Sequence, residues 1–333
     1  MWRSALEVLV APGCGHRLDV GAVHAEEGGE LKDGVLVDSS CQRSVTVSNF
    51  IPRFTQTNGY AESFEEQWQR FPRTQLDRFN GTRLSHSRFF LGTGWTAEEL
   101  RAQRVLEVGC GAGRFTEILL EAGADVYAFD ATGAIDVCRT NVGSSPRVGL
   151  IQATLDSAPC RAGAFDKVFC YGVLQHLPQP KQAFLRLVSF LKPGGKLAID
   201  VYRRSWRPSR WNAKYLWRPI TTRMPRRLLF NVVKWYVPRW VDVENRLLRH
   251  RRLQELVASV VPCWNYTSLG ALTPAQVKEW AVLDTFDALS PRYDLPQRLR
   301  DVRRWFEEAN LVDIHVRFGG NGILGNARKP SGA

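Results

Sequence analysis

The sequence has no apolar run approaching the roughly 20 residues that a membrane-spanning helix requires. Its first ten residues contain Arg3 and Glu7 and lack the longer apolar core of a secretory signal. The seven cysteines are odd in number and irregularly spaced, which argues against a disulfide framework. These absences predict a cytoplasmic protein without transmembrane segments, in which cysteines serve mainly as small apolar side chains.

Acidic residues are also scarce, because 33 Asp and Glu stand against 45 Lys and Arg, and the net charge is +12. A basic balance fits nucleic acid, an anionic membrane surface or phosphorylated small molecules as partners. The length of 333 residues exceeds one typical domain of about 150 residues, so the sequence predicts two units with a sizeable core. The oligomeric state stays open.

Changes in composition and periodicity divide the chain into five segments. Residues 1–55 predict a small β unit, and residues 56–95 predict a helical lid from their apolar spacing. Residues 96–202 alternate strand and helix, residues 203–295 depart from that alternation, and residues 296–333 predict a final helix and hairpin. The whole predicts an α/β fold, a Rossmann-like doubly wound sheet with a mostly helical cap insertion and a small N-terminal β unit.

A glycine-rich loop, Glu107–Gly113, follows the first strand of the alternating segment. Its glycines are Gly109, Gly111 and Gly113. They let the backbone turn sharply and approach a ligand without a Cβ in the way. Asp130 ends the second strand, a position that suits a carboxylate binding both ribose hydroxyls. Such a pair also fits NAD, but Glu107 would repel a pyrophosphate and suits an ammonium group instead.

Residues 105–115, which read VLEVGCGAGRF, resemble motif I of class I S-adenosylmethionine (SAM)-dependent methyltransferases. Phe165–Val168 followed by Leu174–Leu177 resembles the fourth strand and following loop of that family. Leu191–Gly195 resembles its turn before strand five. The resemblance implies SAM as the cofactor, bound through the residues named above, and a small molecule as the methyl acceptor.

The adenine end of the site departs from the family pattern. After strand three the family usually has an acid that accepts from the adenine amino group, and Thr154 occupies that position here. Its hydroxyl can still accept a hydrogen bond, and the backbone N–H of Leu155 suits an adenine ring nitrogen. The resemblance therefore implies Thr154 and Leu155 as adenine contacts, and Tyr171 as a further cofactor contact.

His176 is the candidate general base. Methyl transfer depends on holding the nucleophile in line, and a base is needed only if the acceptor must lose a proton. His176 follows the fourth strand, at the sheet edge where open α/β folds bind ligands, and an ordinary histidine accepts a proton at neutral pH. The alternative is that His176 only orders the loop before Pro178. Tyr171 and Gln175 are nearby pocket candidates.

Residues 203–252 are strongly basic, with fifteen Lys and Arg against Asp242 and Glu244, and tryptophans are interleaved. Such a stretch fits a phosphate-binding or membrane-surface helix. A solvated helical face with tryptophans in the core is the simpler interpretation, and we expect it. Further candidates for the acceptor pocket outside this stretch are Trp68, Gln75, Asp284, Asp287 and Tyr293.

The N-terminal unit resembles a zinc ribbon that has lost half of its cysteines. A ribbon would carry Cys-x-x-Cys twice, whereas only Cys14 and Cys41 are present. His16, His24 or Asp38 could substitute for the missing thiolates. We predict a metal-free unit that packs as a hairpin, and a zinc site is the alternative.

Three functions remain open at this stage. The first is a SAM-dependent methyltransferase acting on a small molecule in bacterial secondary or cell-envelope metabolism, because a large cap suits an enclosed apolar pocket. The second is an RNA methyltransferase, which the charge favours, although Tyr171–Leu174 differs from the Asn-Pro-Pro-Tyr-like tetrapeptide that suits methylation of base amino groups. The third is a protein that binds SAM without transferring its methyl group.

Overall fold

A computed structural model describes residues 1–38, 40–41, 43–55, 62–205, 210–247 and 256–332. The chain forms two compact units. The first consists of Met1–Gly59, Ser85–Arg203 and Tyr293–Ala333, and the second of Tyr60–Leu84 and Arg204–Arg292. The sequence analysis treated residues 1–55 as a unit of their own, whereas the structure groups them with the central sheet.

The N-terminal sheet is a four-stranded antiparallel meander. Its strands are β1 (Asp19–Glu27), β2 (Glu30–Asp38), β3 (Arg43–Ser48) and β4 (Ile51–Pro52). Gly28 and Gly29 have positive φ values in the β1–β2 turn, which glycine adopts without steric cost. Alternate residues of β3, Val45 and Val47, are buried, as expected for a strand with one face on a core. Residues 1–55 thus contain β-strands, as the sequence predicts.

A seven-stranded sheet forms the centre of the first unit. Its strands are β5 (Arg104–Val108), β6 (Asp125–Asp130), β7 (Val148–Gln152), β8 (Phe165–Cys170), β9 (Leu191–Tyr202), β10 (Val312–Gly319) and β11 (Gly322–Arg328). Their order across the sheet is β10-β11-β9-β8-β5-β6-β7. Strands β5 to β9 pair in parallel, and β11 runs antiparallel to both of its neighbours. The predicted Rossmann-like α/β fold is confirmed.

Helices of the first unit flank this sheet because each of them buries an apolar face. They are α3 (Leu84–Thr93), α4 (Ala97–Leu100), α5 (Arg114–Glu121), α6 (Ala134–Val142), α7 (Pro180–Phe190) and α11 (Leu299–Glu308). The rings of Phe184 in α7 and Phe306 in α11 lie 4.7 Å apart, and both are fully buried. Strand β7 is buried along its whole length, as is usual for parallel strands covered on both faces.

The N-terminal sheet is joined to the central sheet at the end of β7. Arg53 forms a parallel bridge with Gln152, and the backbone N–H of Phe54 donates to the Gln152 carbonyl at 2.8 Å. The Arg53 guanidinium also lies 2.6 Å from the Asp136 carboxylate of α6. Residues 1–55 therefore extend the core, a pairing between distant segments that the sequence alone does not indicate.

The turn predicted at Pro193–Gly195 lies inside strand β9 rather than before it. Strand β9 begins at Leu191, and its pairing with β8 shifts between Leu191 and Lys196. Gly194 has a φ of 78°, so the turn residues form an irregularity within one long strand. The segment Leu191–Gly195, expected to be a turn before the fifth strand, is therefore the first part of that strand, because β8 pairs with residues on both sides of the turn.

The second unit is helical. Its helices are α1 (Glu62–Arg70), α2 (Asp77–Asn80), α8 (Arg210–Thr221), α9 (Arg226–Leu247) and α10 (Pro274–Leu289). Helix α1 ends two residues before Pro72, as expected from the restriction that proline imposes on its neighbours. Phe230 of α9 packs edge-on against Phe286 of α10 at 5.4 Å. In the part of the chain that the structure describes, every helix falls short of the length or apolarity that a membrane span requires.

Candidate active site

The loop between β5 and α5 is shaped by its glycines. Gly109, Gly111 and Gly113 all have positive φ values, of 75°, 52° and 90°, a region that other residues occupy at a cost. A Cβ on Gly109 would lie 2.3 Å from a methyl group of Val173, and one on Gly113 would lie 2.9 Å from the Cys138 sulfur. At Gly109 and Gly113 the loop therefore has room for the backbone but not for a side chain.

Asp130 lies at the end of β6, next to the glycine loop. Its Oδ2 accepts the Gly111 N–H at 3.0 Å, and its Oδ1 accepts the N–H and hydroxyl of Thr132 at 2.9 and 2.7 Å. The carboxylate is only partly buried. These bonds fix its orientation beside the glycine loop, at the carboxyl edge of the sheet where ribose hydroxyls are expected.

Glu107 is almost completely buried beneath the same loop. Its Oε2 accepts the Thr116 hydroxyl of α5 at 2.7 Å. Burial raises the pKa of the Glu107 carboxyl to about 8, and the neighbouring Asp130 charge adds to the rise. A buried carboxyl in this state gains from a cation placed close to it, because the cation favours the ionised form. The sequence analysis assigned Glu107 to an ammonium group, and this environment suits such a partner.

The predicted adenine contacts lie just after β7. The Thr154 hydroxyl lies 2.7 Å from the Ser157 hydroxyl and accepts the Ser157 N–H at 3.1 Å. The Thr154 N–H in turn donates to the Ser157 hydroxyl at 3.2 Å. The Leu155 side chain is buried. Thr154 thus closes a local turn, and the assignment of both residues to adenine stays a prediction.

His176 and Gln175 lie together in a short 3₁₀ helix, Leu174–His176, after β8. The His176 Nδ1 is 3.0 Å from the backbone carbonyl of Tyr293. Gln175 is fully buried, and neither its amide oxygen nor its amide nitrogen has a hydrogen-bond partner within the described structure. Its backbone carbonyl accepts the Leu295 N–H at 2.8 Å. An unpaired buried amide is costly, so Gln175 marks a place where a polar ligand group would be stabilised.

Tyr171 is buried in an aromatic cluster. Its ring lies 4.4 Å from that of Phe169 and 6.0 Å from that of Phe115. A Cβ on Gly92 of α3 would lie 2.5 Å from the Tyr171 hydroxyl. These contacts describe a packing residue, and nothing in them adds support to the predicted contact of Tyr171 with cofactor or acceptor.

A buried ion pair, which sequence analysis missed, supports the loop after β8. Arg88 of α3 lies 2.8 Å from the Asp200 Oδ2, and the Asp200 Oδ1 accepts the Gly172 N–H. Asp200 is fully buried, and a buried carboxylate requires partners of this kind. The feature of the sequence that could have indicated this pair is Asp200 itself, the single acid in the otherwise apolar segment Leu197–Val201 of β9.

The remaining predicted substrate residues include a hydrogen-bonded group within the second unit. The Asp284 carboxylate accepts from the Gln75 amide at 3.0 Å, from the Trp280 indole at 3.1 Å and from the Tyr266 hydroxyl. Sequence analysis named Gln75 and Asp284 but missed their aromatic partners. Trp68 packs on the apolar core of this unit, so its assignment to an acceptor pocket gains no support.

Of the other two candidates, Asp287 is partly buried in α10. The backbone carbonyl of Tyr293 lies 3.0 Å from the His176 Nδ1. Both assignments to acceptor binding stay predictions.

Two tryptophans of the basic stretch are not in the core, contrary to the expectation. The side chains of Trp217 and Trp235 are 43% and 64% exposed, whereas Trp240 is partly buried against the core of the second unit. Trp206 and the side chain of Trp211 lie outside the described residues. The expected solvated basic face therefore also carries large apolar groups in contact with water.

These features define the class of the first unit. Five parallel strands with β5 in the middle, a glycine-rich loop after β5 and an acid after β6 are the arrangement of a class I SAM-dependent methyltransferase domain, whose cofactor is SAM. Residues 106–199 match the family described as "Methyltransferase domain". The assignment of Glu107, Asp130 and the loop glycines to SAM binding stays a prediction.

Curated relatives share this domain. The chain is 35% identical over 137 residues to the ubiquinone biosynthesis O-methyltransferase of Xanthomonas euvesicatoria pv. vesicatoria, covering 40% of this chain and 54% of that protein. It is 39% identical over 105 residues to the protein of the same name from Xanthomonas axonopodis pv. citri, covering 31% and 44%. The chain thus spans about half the length of these relatives.

Solved structures with a related arrangement include magnesium protoporphyrin IX methyltransferase from Synechocystis PCC 6803 with bound S-adenosylhomocysteine. Identity is 13%, coverage is 82% of this chain and 89% of that chain, and the TM-score is 0.39. A SAM-dependent methyltransferase from Aquifex aeolicus has 16% identity, coverage of 73% and 92%, and a TM-score of 0.38.

Proposed function

We propose that the protein transfers the methyl group of SAM to a hydroxyl oxygen of a small-molecule acceptor, with His176 as the general base. A reaction in bacterial secondary or cell-envelope metabolism is the setting that we propose. The names of the curated relatives, which are O-methyltransferases, support an oxygen acceptor. The observation that carries the proposal is the hydrogen bond of His176 to the Tyr293 carbonyl.

This hydrogen bond determines which nitrogen of His176 can act. A carbonyl oxygen can only accept, so Nδ1 must carry the proton. In the neutral ring Nε2 is then the nitrogen with the lone pair, and it is the atom that would remove a proton from the acceptor. The Tyr293 carbonyl orients the His176 ring. In other group-transfer enzymes a third group orients the catalytic histidine in the same way.

A base also limits the class of acceptor. A neutral amine attacks with its own lone pair and can lose its proton afterwards, whereas a hydroxyl is a weak nucleophile until it is deprotonated. An oriented histidine therefore favours a hydroxyl. Next to it, the buried amide of Gln175 can donate to an acceptor oxygen or accept from its O–H.

SAM supplies an electrophilic methyl group and leaves as a neutral thioether. The protein's own groups do the rest: the glycine loop and Asp130 position the cofactor, Glu107 faces its ammonium group, and Gln175 and His176 hold the acceptor. No general acid is needed in this scheme, because the leaving group gains no negative charge. Much of the rate then comes from alignment.

The test is methyl transfer from SAM to a panel of phenols and catechols, followed by mass spectrometry across pH. We expect His176→Gln to lower kcat by about 10²–10⁴-fold near neutral pH, and the loss should shrink at high pH where the acceptor ionises unaided. His315→Gln on the exposed side of β10 is the matched control. Full turnover by His176→Gln at every pH would contradict the role of the base.

Calorimetric titration with SAM and with NAD separates failure of the reaction from failure of the site. Binding of SAM without NAD binding, combined with no methylated product from the panel, would contradict the hydroxyl acceptor and favour a protein that binds SAM without transfer. Methylation of RNA, lost at moderate salt as phosphate contacts weaken, would favour the RNA acceptor instead.

A further inference from the structure

Four potential metal ligands converge in the N-terminal sheet, away from the SAM site. They are Cys14 and His16, in the loop before β1, and Asp38 and Cys41, at the β2–β3 turn. One ligand atom from each residue lies within 4.8 Å of all the others. The two pairs are separated by more than 20 residues along the chain, so the fold of the sheet brings them together.

Three of the six distances between the ligand atoms are close to those of a tetrahedral site, and all six are within 4.8 Å. The Cys14 Sγ lies 3.1 Å from the Asp38 Oδ2, the Cys41 Sγ lies 3.2 Å from the His16 Nδ1, and that nitrogen lies 3.6 Å from the Asp38 Oδ2. Zinc bond lengths and tetrahedral angles predict about 3.4–3.8 Å between such atoms. These three distances differ from the tetrahedral values by only a few tenths of an ångström.

The backbone holds these ligands in place independently of a metal. The loop of Cys14 is closed by the Gly15 N–H on the Ala11 carbonyl at 2.9 Å and the Ala11 N–H on the His16 carbonyl at 2.8 Å. On the other side, the Asp38 Oδ1 accepts the Cys41 N–H at 3.3 Å. That bond leaves Oδ2 directed at Cys14 and His16.

Burial and chemistry also fit a structural metal site. The Asp38 side chain is 1% exposed, so a carboxylate has been placed in the interior next to two sulfurs and an imidazole. A buried carboxylate of this kind is stabilised by a cation. His16 is 52% exposed and gives the ion a path from solvent. Four protein ligands leave no open position, as in structural zinc sites.

We propose that Cys14, His16, Asp38 and Cys41 bind one zinc ion that stabilises the N-terminal sheet. The sequence analysis named His16, His24 and Asp38 as possible substitutes for the missing thiolates, but it predicted a metal-free unit because only two cysteines of the ribbon pattern are present. The mixed set of two sulfurs, one nitrogen and one oxygen supplies the same coordination number with a different spacing.

The test is elemental analysis of the full chain purified under reducing conditions, followed by chelation and reconstitution with Zn²⁺ or Co²⁺. We expect about one zinc per chain, and a thiolate-to-cobalt charge-transfer band after Co²⁺ is added. Cys14→Ser and Cys41→Ser should remove that band and most of the zinc. Cys263→Ser in the second unit and His24→Ala on the exposed face of β1 are the matched controls.

His16→Ala keeps the proposal falsifiable if the cysteine variants do not fold, because His16 is exposed and its loss should leave the sheet intact. We expect this variant to bind zinc at least tenfold more weakly, with an unchanged circular dichroism spectrum. Zinc that stays at one per chain in all three ligand variants, Cys14→Ser, Cys41→Ser and His16→Ala, would overturn the proposal. So would a wild-type chain that takes up neither ion, or one in which Cys14 and Cys41 form a disulfide.

A second inference rests on α9 and is independent of the first. The helix is apolar on two faces. One face, which includes Phe230, Val233 and Val237, is buried in the core of the second unit, while Leu228 and Trp235 are 51% and 64% exposed. The exposed apolar residues Leu228, Val232, Trp235 and Val243 recur at helical spacing.

Positive charge flanks this exposed face. Arg227, Lys234, Arg239 and Arg246 are exposed on α9, and the acidic residues of the helix are the exposed Asp242 and the buried Glu244. Apolar residues with tryptophan on a basic helix suit the boundary of an anionic lipid layer. RNA would use the charge but would gain nothing from aliphatic groups in water. We therefore infer that this face docks on an anionic membrane surface.

Flotation of the full chain with vesicles of phosphatidylcholine, with and without phosphatidylglycerol, tests this inference. We expect binding to the anionic vesicles only, weakened by salt and lowered at least tenfold in Trp235→Glu. Leu91→Glu on α3, where the leucine is 75% exposed, is the matched control and should bind normally. Equal binding by Trp235→Glu, or binding of RNA without binding of vesicles, would overturn it.

Discussion

Glu107 offers the sharpest test of the cofactor site, because its raised pKa makes SAM binding depend on pH. Its carboxyl is nearly fully buried, and its pKa is raised to about 8. At pH 6 the group is protonated in the free protein. If the cofactor's ammonium requires the carboxylate, ionisation must accompany binding. The cost is about 1.4 kcal/mol for each pH unit below the pKa, which is about 2.7 kcal/mol at pH 6.

Calorimetry at pH 6, 7 and 7.5 measures this coupling. We expect the Kd for SAM to fall about tenfold between pH 6 and pH 7, and about 0.9 proton to be released per SAM bound at pH 7, read from buffers of different ionisation enthalpy. Glu107→Gln should bind more weakly and lose the pH dependence. Glu121→Gln, at the exposed end of α5, should behave as the wild type. A Kd that changes less than twofold over this range would refute the reasoning.

The remaining predictions concern stability and binding. Because folding raises the pKa of Glu107, the free protein should lose unfolding free energy as pH rises from about 4.5 to about 8, and urea titrations of Glu107→Gln should lack that slope. Asp130→Asn should raise the Kd for SAM about 10–100-fold through loss of charged hydrogen bonds, and an unchanged Kd would disprove the ribose assignment. Arg88→Met should destabilise the fold by about 3–5 kcal/mol, since Asp200 would keep a buried, unpaired charge. Adding Asp200→Leu should restore part of the unfolding free energy lost in Arg88→Met, as measured by urea unfolding. If the effects of the two substitutions on that free energy simply add, the Arg88–Asp200 interaction is contradicted.

The sequence predicts the cofactor half of the site because that half is local. Gly109, Gly111 and Gly113 lie within five residues, and their positive φ values follow from the sharp turn between β5 and α5. Asp130 ends the next strand, and adjacent parallel strands end at the same edge of the sheet. Each of these inferences needs only the alternation of strand and helix, which the hydrophobic pattern indicates.

The acceptor half depends on contacts between distant segments, which periodicity does not reveal. His176 gains its orientation from the carbonyl of Tyr293, and the two are more than a hundred residues apart. Tyr171, predicted as a contact of cofactor or acceptor, has its ring packed against Phe169 and Phe115, a contact that the sequence pattern does not reveal. The sequence indicated where a polar residue stood, and only the fold determined what it faces.

The N-terminal cluster makes the same point for metals. A search by spacing looks for ligands that are close in the chain, because Cys-x-x-Cys brings two thiolates together within one turn. In this sheet the β2–β3 turn places Asp38 and Cys41 beside the loop of Cys14 and His16, so the spacing that matters lies across strands. Ligand type also matters less than count, since an imidazole and a carboxylate complete a tetrahedron as two thiolates would. A degenerate motif is therefore weak evidence against a metal until the cross-strand neighbours of its remaining cysteines are known.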